Sequence, residues 1–179
     1  MLSLIWIIIT LLLVLLNGFF VAAEFSMVKL RHTRLESIKH HHGLRGKILG
    51  YVHARLDAYL SACQVGITLA SLGLGWVGEP VIAYLLRPFL QFVGIQTIES
   101  LNALSFLIAF TLLSFLHIVI GELMPKSLAI RKAEIISLWT AIPLYCFYWL
   151  TYPAIWLLNN CTNFLLKITT LDYKSDGEN

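Results

Sequence analysis

Two glutamates sit just ahead of a lysine inside otherwise apolar stretches, Glu24 before Lys29 and Glu122 before Lys126. At ~1.5 Å per helical residue, both carboxylates would lie roughly 6–8 Å inside the boundary that the lysines mark. Ionisable groups at membrane depth are costly and mark ion or proton pathways. A second polar set, Ser61, Gln64, Thr68 and Ser71, recurs at spacings of 3, 4 and 3. That spacing puts all four on one helical face, with Ser61 and Gln64 near the level of the glutamates. Pro125 adds a backbone group, because a proline donates no hydrogen bond and leaves the Gly121 carbonyl free beside Glu122. Carboxylates, hydroxyls, an amide and a carbonyl form an all-oxygen donor set, suited to Mg²⁺ or another hard cation and not to zinc or copper. Asn17, seven residues before Glu24, shares its face nearer mid-membrane, where it lines a path or bonds a neighbour.

Each feature has a plainer alternative. Ser, Thr and Gln also join membrane helices by ordinary interhelical hydrogen bonds. Pro125 could simply kink a helix while Glu122 pairs with Lys126 one turn on. His117 with Ser114 one turn earlier invites a nucleophile and base reading, but no oxyanion-hole motif or third orienting group accompanies them, so no enzymatic activity is expected. The run His40, His41 and His42 reads as solvated loop. Cys63, Cys146 and Cys161 are an odd number without Cys-x-x-Cys spacing, which argues against a disulfide framework and a thiolate metal site.

The elements that must position these groups follow from composition. The chain of 179 residues is 58% hydrophobic and 13% charged, with a mean hydropathy of +0.78; an ordinary soluble domain carries about 25% charge. Residues 2–23, 58–78, 101–121 and 135–166 are free of charge, and each run reaches the ~20 residues that cross a bilayer. The first run is too long for a secretory core of roughly 7–15 residues, so it reads as a retained helix. Between positions 29 and 55 lie Lys29, Arg31, Arg34, Lys39, Arg45, Lys47 and Arg55 against the single acid Glu36. The positive-inside rule makes that segment cytoplasmic and the N-terminus external. The net charge of +3 therefore reports topology, and no nucleic-acid partner is expected.

The expected fold is all-α and integral to the membrane over residues 1–171, a multi-pass protein of the cell (inner) membrane. Crossings are expected at 2–28, 57–72 and 101–125, with a cytoplasmic basic segment at 29–56. Gly66, Gly73, Gly75, Gly78 and Pro80 break the second segment, leaving a short helix at 81–93. Pro143, Pro153 and a heavy aromatic load turn 135–167 into a proline-kinked pair of re-entrant or juxtamembrane belt helices, which keeps the C-terminus cytoplasmic; a fourth crossing is the alternative. The polar stretch 172–179 is expected to open a linker to a soluble domain.

Four blocks resemble the cyclin M and CorC family: Asn17 to Ser26 (NGFFVAAEFS) followed by VKLR, Leu60 to Thr68 (LSACQVGIT), Leu69 to Pro80 (LASLGLGWVGEP), and Gly121 to Ala129 (GELMPKSLA). The resemblance implies a homodimer of three-crossing protomers in the lipid bilayer, with a belt helix at the cytoplasmic side. It also implies downstream CBS and CorC-type domains, outside this sequence, through which nucleotide would act. A largely dehydrated Mg²⁺ site made of oxygens is implied too, with Ser61, Glu122 and the Gly121/Pro125 break matching the pattern. Ile67 and Thr68 stand where many members carry an Asn pair, and Ala22 and Ala23 where they are Ser-rich, as in the hemolysin-like subgroup. Two functions follow. One is a divalent-cation transporter domain, exporting or exchanging Mg²⁺ with Na⁺ as a candidate coupling ion. The other is a non-transporting dimeric anchor or sensor for cytoplasmic CBS domains. The expected metal ligands are Ser61, Gln64, Gly121, Glu122, Glu24 and Thr68, with Asn17, Ser71, Pro125 and Lys126 as structural or path residues.

Overall fold

A computed structural model describes residues 2–95 and 97–168, and the expected linker at 172–179 lies outside them. Among the described residues every regular element is helical. Helix α1 (Leu2–Lys29) is followed by α2 (His32–His41) and α3 (Gly43–Ala54), which occupy the basic segment. Helix α4 (Leu56–Gly73) passes through a π-helical segment (Leu74–Gly78) into α5 (Glu79–Phe92). Helix α6 (Ile98–Leu116) likewise passes through a π-helical segment (His117–Leu123) into α7 (Met124–Arg131), and α8 covers Ala133–Ile168.

Helix α1 is the hub, packing on α4, α7, α8 and the second π segment. Small residues make this possible. A Cβ on Gly66 would fall 2.5 Å from the Phe20 ring, one on Gly73 3.3 Å from Leu13, and one on Gly78 3.0 Å from Thr10. As numbers rise along α4 they fall along α1, so the two helices are antiparallel. Gly18 opposes Pro125 and Phe25 opposes Lys126, so α1 and the third span run in the same sense. Close backbone approach through glycine is how helices associate in lipid, where apolar contact between helices gains little over contact with acyl chains. The same reasoning explains why Leu11, Leu12, Leu15, Trp76, Phe106 and Phe110 stand exposed.

The largest buried cluster sits at the basic end, where Phe20, Met27, Leu35, Leu49, Tyr59, Leu144, Tyr148 and Ile155 join α1, α2, α3, α4 and α8. Two expectations are corrected here. The second segment does not turn after position 72; its glycines relax into one π-helical turn, and Leu56–Phe92 stays continuous. Positions 135–167 do not form a helix pair either, because α8 runs unbroken through Pro143 and Pro153. Each proline costs ~3 kcal/mol in a helix interior. Between the two, Tyr148, Trp149 and Tyr152 make three ring pairs, each with centroids 5.8 Å apart, and such pairs return ~0.5–1.5 kcal/mol each.

Four segments, not three, are long and apolar enough to cross a membrane: Leu4–Lys29, Leu56–Phe92, Ile98–Arg131 and Ala133–Leu166. The fourth is set apart by its contacts. Glu134 pairs with Arg34 at 3.3 Å, and Asn159 accepts a hydrogen bond from Ser61, in the second turn of α4, at 3.4 Å. These contacts are 25 residues apart, about 38 Å along a helix, yet both lie at the basic end.

Candidate functional site

The third span carries the chemistry the sequence pointed to, and Pro125 explains its local shape. With the donor to Gly121 missing, the helix widens just before the proline, and the Met124 N–H bonds the Val119 carbonyl, five residues back. His117, Gly121 and Pro125 end up against α1. A Cβ on Gly121 would lie 2.9 Å from the His117 ring and 3.2 Å from Asn17 Nδ2, so only glycine fits there without displacement.

The Gly121 carbonyl is not left open, which corrects the expectation of a free ligand. Asn17, 2% exposed, donates from Nδ2 to that carbonyl at 3.0 Å. Ser71 Oγ donates to Asn17 Oδ1 at 3.2 Å and lies 3.4 Å from His117 Nε2. Ser71 has a single proton, and giving it to Asn17 makes the His117 Nε2–H the donor to Ser71. One chain of hydrogen bonds therefore runs from His117 through Ser71 and Asn17 to the Gly121 backbone, tying α1, α4 and the third span together.

The two glutamates differ in surroundings. Glu24 is half-buried and feels the positive charge of Lys126. The Lys126 ammonium lies 4.4 Å from the Phe25 ring centroid, so the alternative pairing with Glu122 is not formed. Glu122 is exposed and has no hydrogen bond or ion pair among the described residues.

The polar stripe of α4 does not act as a unit. Tyr59, Ala62, Cys63, Gly66 and Ala70 form the buried face of that helix, and the stripe lies on the opposite side. Gln64 and Thr68 are exposed. Ser61 is half-buried and bonds the Asp57 carbonyl at 3.0 Å as well as Asn159, on a hollow of about 360 Å³ lined by Asp57, Ser61, Asn159, Thr162 and Asn163. Ser71 alone reaches the network. No hydrogen bond links Ser61, Gln64 or Thr68 to Glu122 or Gly121 among the described residues.

Sequence reasoning missed Glu79. A cavity of about 400 Å³ is lined by Ser71, Glu79, Phe106, Phe110, Ser114 and His117, on the side of the network away from the basic end. The signal was present, since Glu79 is an acid inside the continuous apolar segment Leu56–Phe92, but it was counted as the end of a run. Ser114 and His117 share this cavity without a hydrogen bond between them; the imidazole goes to Ser71.

Among the described residues no three His, Cys, Asp or Glu side chains gather as a metal cluster. The geometry instead presents acidic groups at three places, Glu122 beside the Asn17–Gly121 contact, Glu24 nearer the basic end and Glu79 beyond the network, with neutral oxygens among them.

Residues 8–179 match the family model for the cyclin M transmembrane N-terminal domain. The chain is 44% identical over 154 residues to the UPF0053 protein YugS of Bacillus subtilis, covering 86% of this chain and 35% of that protein. It is 43% identical to YhdP of the same organism over 93% of this chain and 37% of the relative. An uncharacterized protein of Mycobacterium tuberculosis, Rv1841c, is 29% identical over 95% of this chain and 48% of its own length. The chain thus spans about a third to a half of these curated relatives. The family match and the all-helical apolar segments agree: the chain belongs to the cyclin M transmembrane domain family, with UPF0053 proteins among its relatives.

Proposed function

We propose that this domain binds and passes a divalent cation, Mg²⁺ first, through the membrane, acting in transport and not in catalysis. The observation that carries this reading is the Glu122 carboxylate, which stands exposed within the apolar segment Ile98–Arg131 with no ion pair among the described residues. An anionic group at that depth is expensive unless something cationic or aqueous meets it. Mg²⁺ is small and holds its water tightly, so a site for it needs a full negative charge plus neutral oxygens. Glu24 lies nearer the basic end on the neighbouring helix, Gly121 offers the second lone pair of its carbonyl, and Ser61 and Gln64 would contribute through rotation or through a second copy facing the exposed side of α4. The Asn17, Ser71 and His117 chain then lies between this level and the Glu79 cavity as a path.

In this reading the basic end is cytoplasmic, the N-terminus is external and α8 lies across the cytoplasmic ends of three crossings as a belt. The exposed Gln64 and Thr68 suit a homodimer contact. Na⁺ as a coupling ion and nucleotide action through CBS domains are parts of the whole protein's activity, which belongs to a chain longer than the one described.

A second reading, a dimeric anchor without transport, is favoured by the way Asn17 consumes the Gly121 carbonyl and Ser61 turns to Asn159. Mg²⁺ flux into proteoliposomes separates the two. The transporter reading expects flux that Glu122→Gln abolishes; no flux above protein-free vesicles under any imposed Na⁺ gradient or membrane potential leaves the anchor.

A further inference from the structure

The basic residues of this chain are not all accounted for by topology. Arg34 pairs with Glu134, Lys39 with Glu36, and Arg87 with Asn102. Arg45 lies over Trp139, Arg55 over Tyr51 and Lys126 over Phe25. The side chains of Lys29, Arg31, Arg131 and Lys132 have no hydrogen bond, ion pair or ring contact among the described residues, and these four residues, together with Arg34, line a single hollow of about 440 Å³. Its one acid, Glu134, is already engaged by Arg34. The cations come from two stretches a hundred residues apart in sequence, brought together where α1 and α7 end and α8 begins. Like charges held close repel one another, so their convergence without counter-charge leaves an anion's place.

The rest of the lining says which anion. Leu30 is buried there, while Ile130 and Ile135 stand exposed on the rim. The hollow sits at the ends of the apolar segments Leu4–Lys29 and Ile98–Arg131 and at the start of Ala133–Leu166, and the ends of membrane-spanning segments are where headgroups meet acyl chains. We infer that this hollow holds the phosphate of an anionic phospholipid, with the first methylenes of its chains against Ile130 and Ile135. Basic pockets between membrane helices are suited to such headgroups, and a free phosphate would gain nothing from the isoleucines.

The chain, purified in a neutral detergent, would be melted at increasing mole fractions of phosphatidylglycerol, of phosphatidylcholine, and with inorganic phosphate alone. Phosphatidylglycerol is expected to raise the melting temperature, and the other two additives to leave it in place. Arg131→Gln combined with Lys132→Gln should weaken the half-maximal phosphatidylglycerol response about thirtyfold, the scale of two basic residues at an anionic surface. Lys29→Gln with Arg31→Gln, on the opposite wall, should do the same and guards against a folding defect in the first pair. Lys47→Gln, an exposed and unpaired cation outside the hollow, should leave the response unchanged. Equal stabilisation by phosphatidylcholine, or a response that survives both double variants, overturns the site; full stabilisation by inorganic phosphate overturns the lipid as its occupant.

Discussion

Glu24 and Glu122 lie on neighbouring helices that run in the same sense, Glu24 seven residues beyond Asn17 and Glu122 one residue beyond the Gly121 that Asn17 contacts, and the fold treats them differently. The first is half-buried with Lys126 nearby; the second is exposed and unpaired among the described residues. The cause is azimuth. Glu24 lies on the α1 face that turns toward α4 and α7, whereas Gly121 and Pro125 occupy the contact face of the third span and push Glu122 out of it. A half-buried charge with a cation nearby has a structural role open to it. One left unpaired at membrane depth needs a partner from outside the chain, and this places the transport hypothesis on Glu122.

The comparison can be broken from the structural side first. Asn17→Leu removes the side chain that satisfies both the Gly121 carbonyl and Ser71, and orphaning buried polar groups costs ~1–3 kcal/mol each. We expect a loss of about 3 kcal/mol, read as a lower denaturation midpoint in detergent, with Glu24 and Glu122 both displaced. Gly121→Ala forces a methyl to within 2.9 Å of the His117 ring, and overpacking of this kind costs ~1–3 kcal/mol. Because the ring can rotate by giving up its bond to Ser71, a loss near 1 kcal/mol is expected, with a changed His117 imidazole resonance in NMR as the check.

Pro125→Ala sharpens the contrast further. It restores a backbone donor to Gly121, which then competes with Asn17 for the carbonyl and allows the π-helical turn to relax toward α. Helix content should hold or rise and stability should change by less than ~1 kcal/mol, because the carbonyl can accept two hydrogen bonds. If the carbonyl contributes to a cation site, Mg²⁺ stabilisation falls although the fold is intact. The smallest effect belongs to Glu122→Gln without divalent cation. An exposed residue with no partner should shift stability by no more than ~0.5 kcal/mol, and a larger loss would mean that Glu122 is structural.

The all-helical class and the apolar segments were readable from sequence, because they depend on local spacing and on residue types, whereas the breaks expected after position 72 and at Pro143 and Pro153 do not form. The expected 2–28 is covered by α1, whereas the expected 57–72 is only the first part of the continuous segment Leu56–Phe92 and the third unit runs over Ile98–Arg131, beyond 101–125 at both ends. Rotation about the helix axis was harder to read. Ser61, Gln64, Thr68 and Ser71 do share a face, yet that face is opposite the one buried by Ala62, Cys63, Gly66 and Ala70, and glycine packing against Phe20 decided the matter. In lipid an apolar face gives no inside or outside signal, so a polar stripe alone cannot show where it points. The Gly121 break was foreseen from Pro125, but its capture by Asn17 was not, since it joins positions 104 residues apart. The continuity of α8 was missed because two prolines weigh more in a local reading than the aromatic ring pairs between them.

The most direct test of the central claim is thermal unfolding of the wild-type chain, Glu24→Gln and Glu122→Gln in detergent across a Mg²⁺ titration at constant ionic strength. A cation that binds only the native state stabilises it by mass action, so the midpoint climbs with concentration once the dissociation constant is passed. The account predicts a rising midpoint for wild type, a weaker rise for Glu24→Gln, which has Lys126 nearby, and a flat line for Glu122→Gln. The same rise in all three proteins would contradict it.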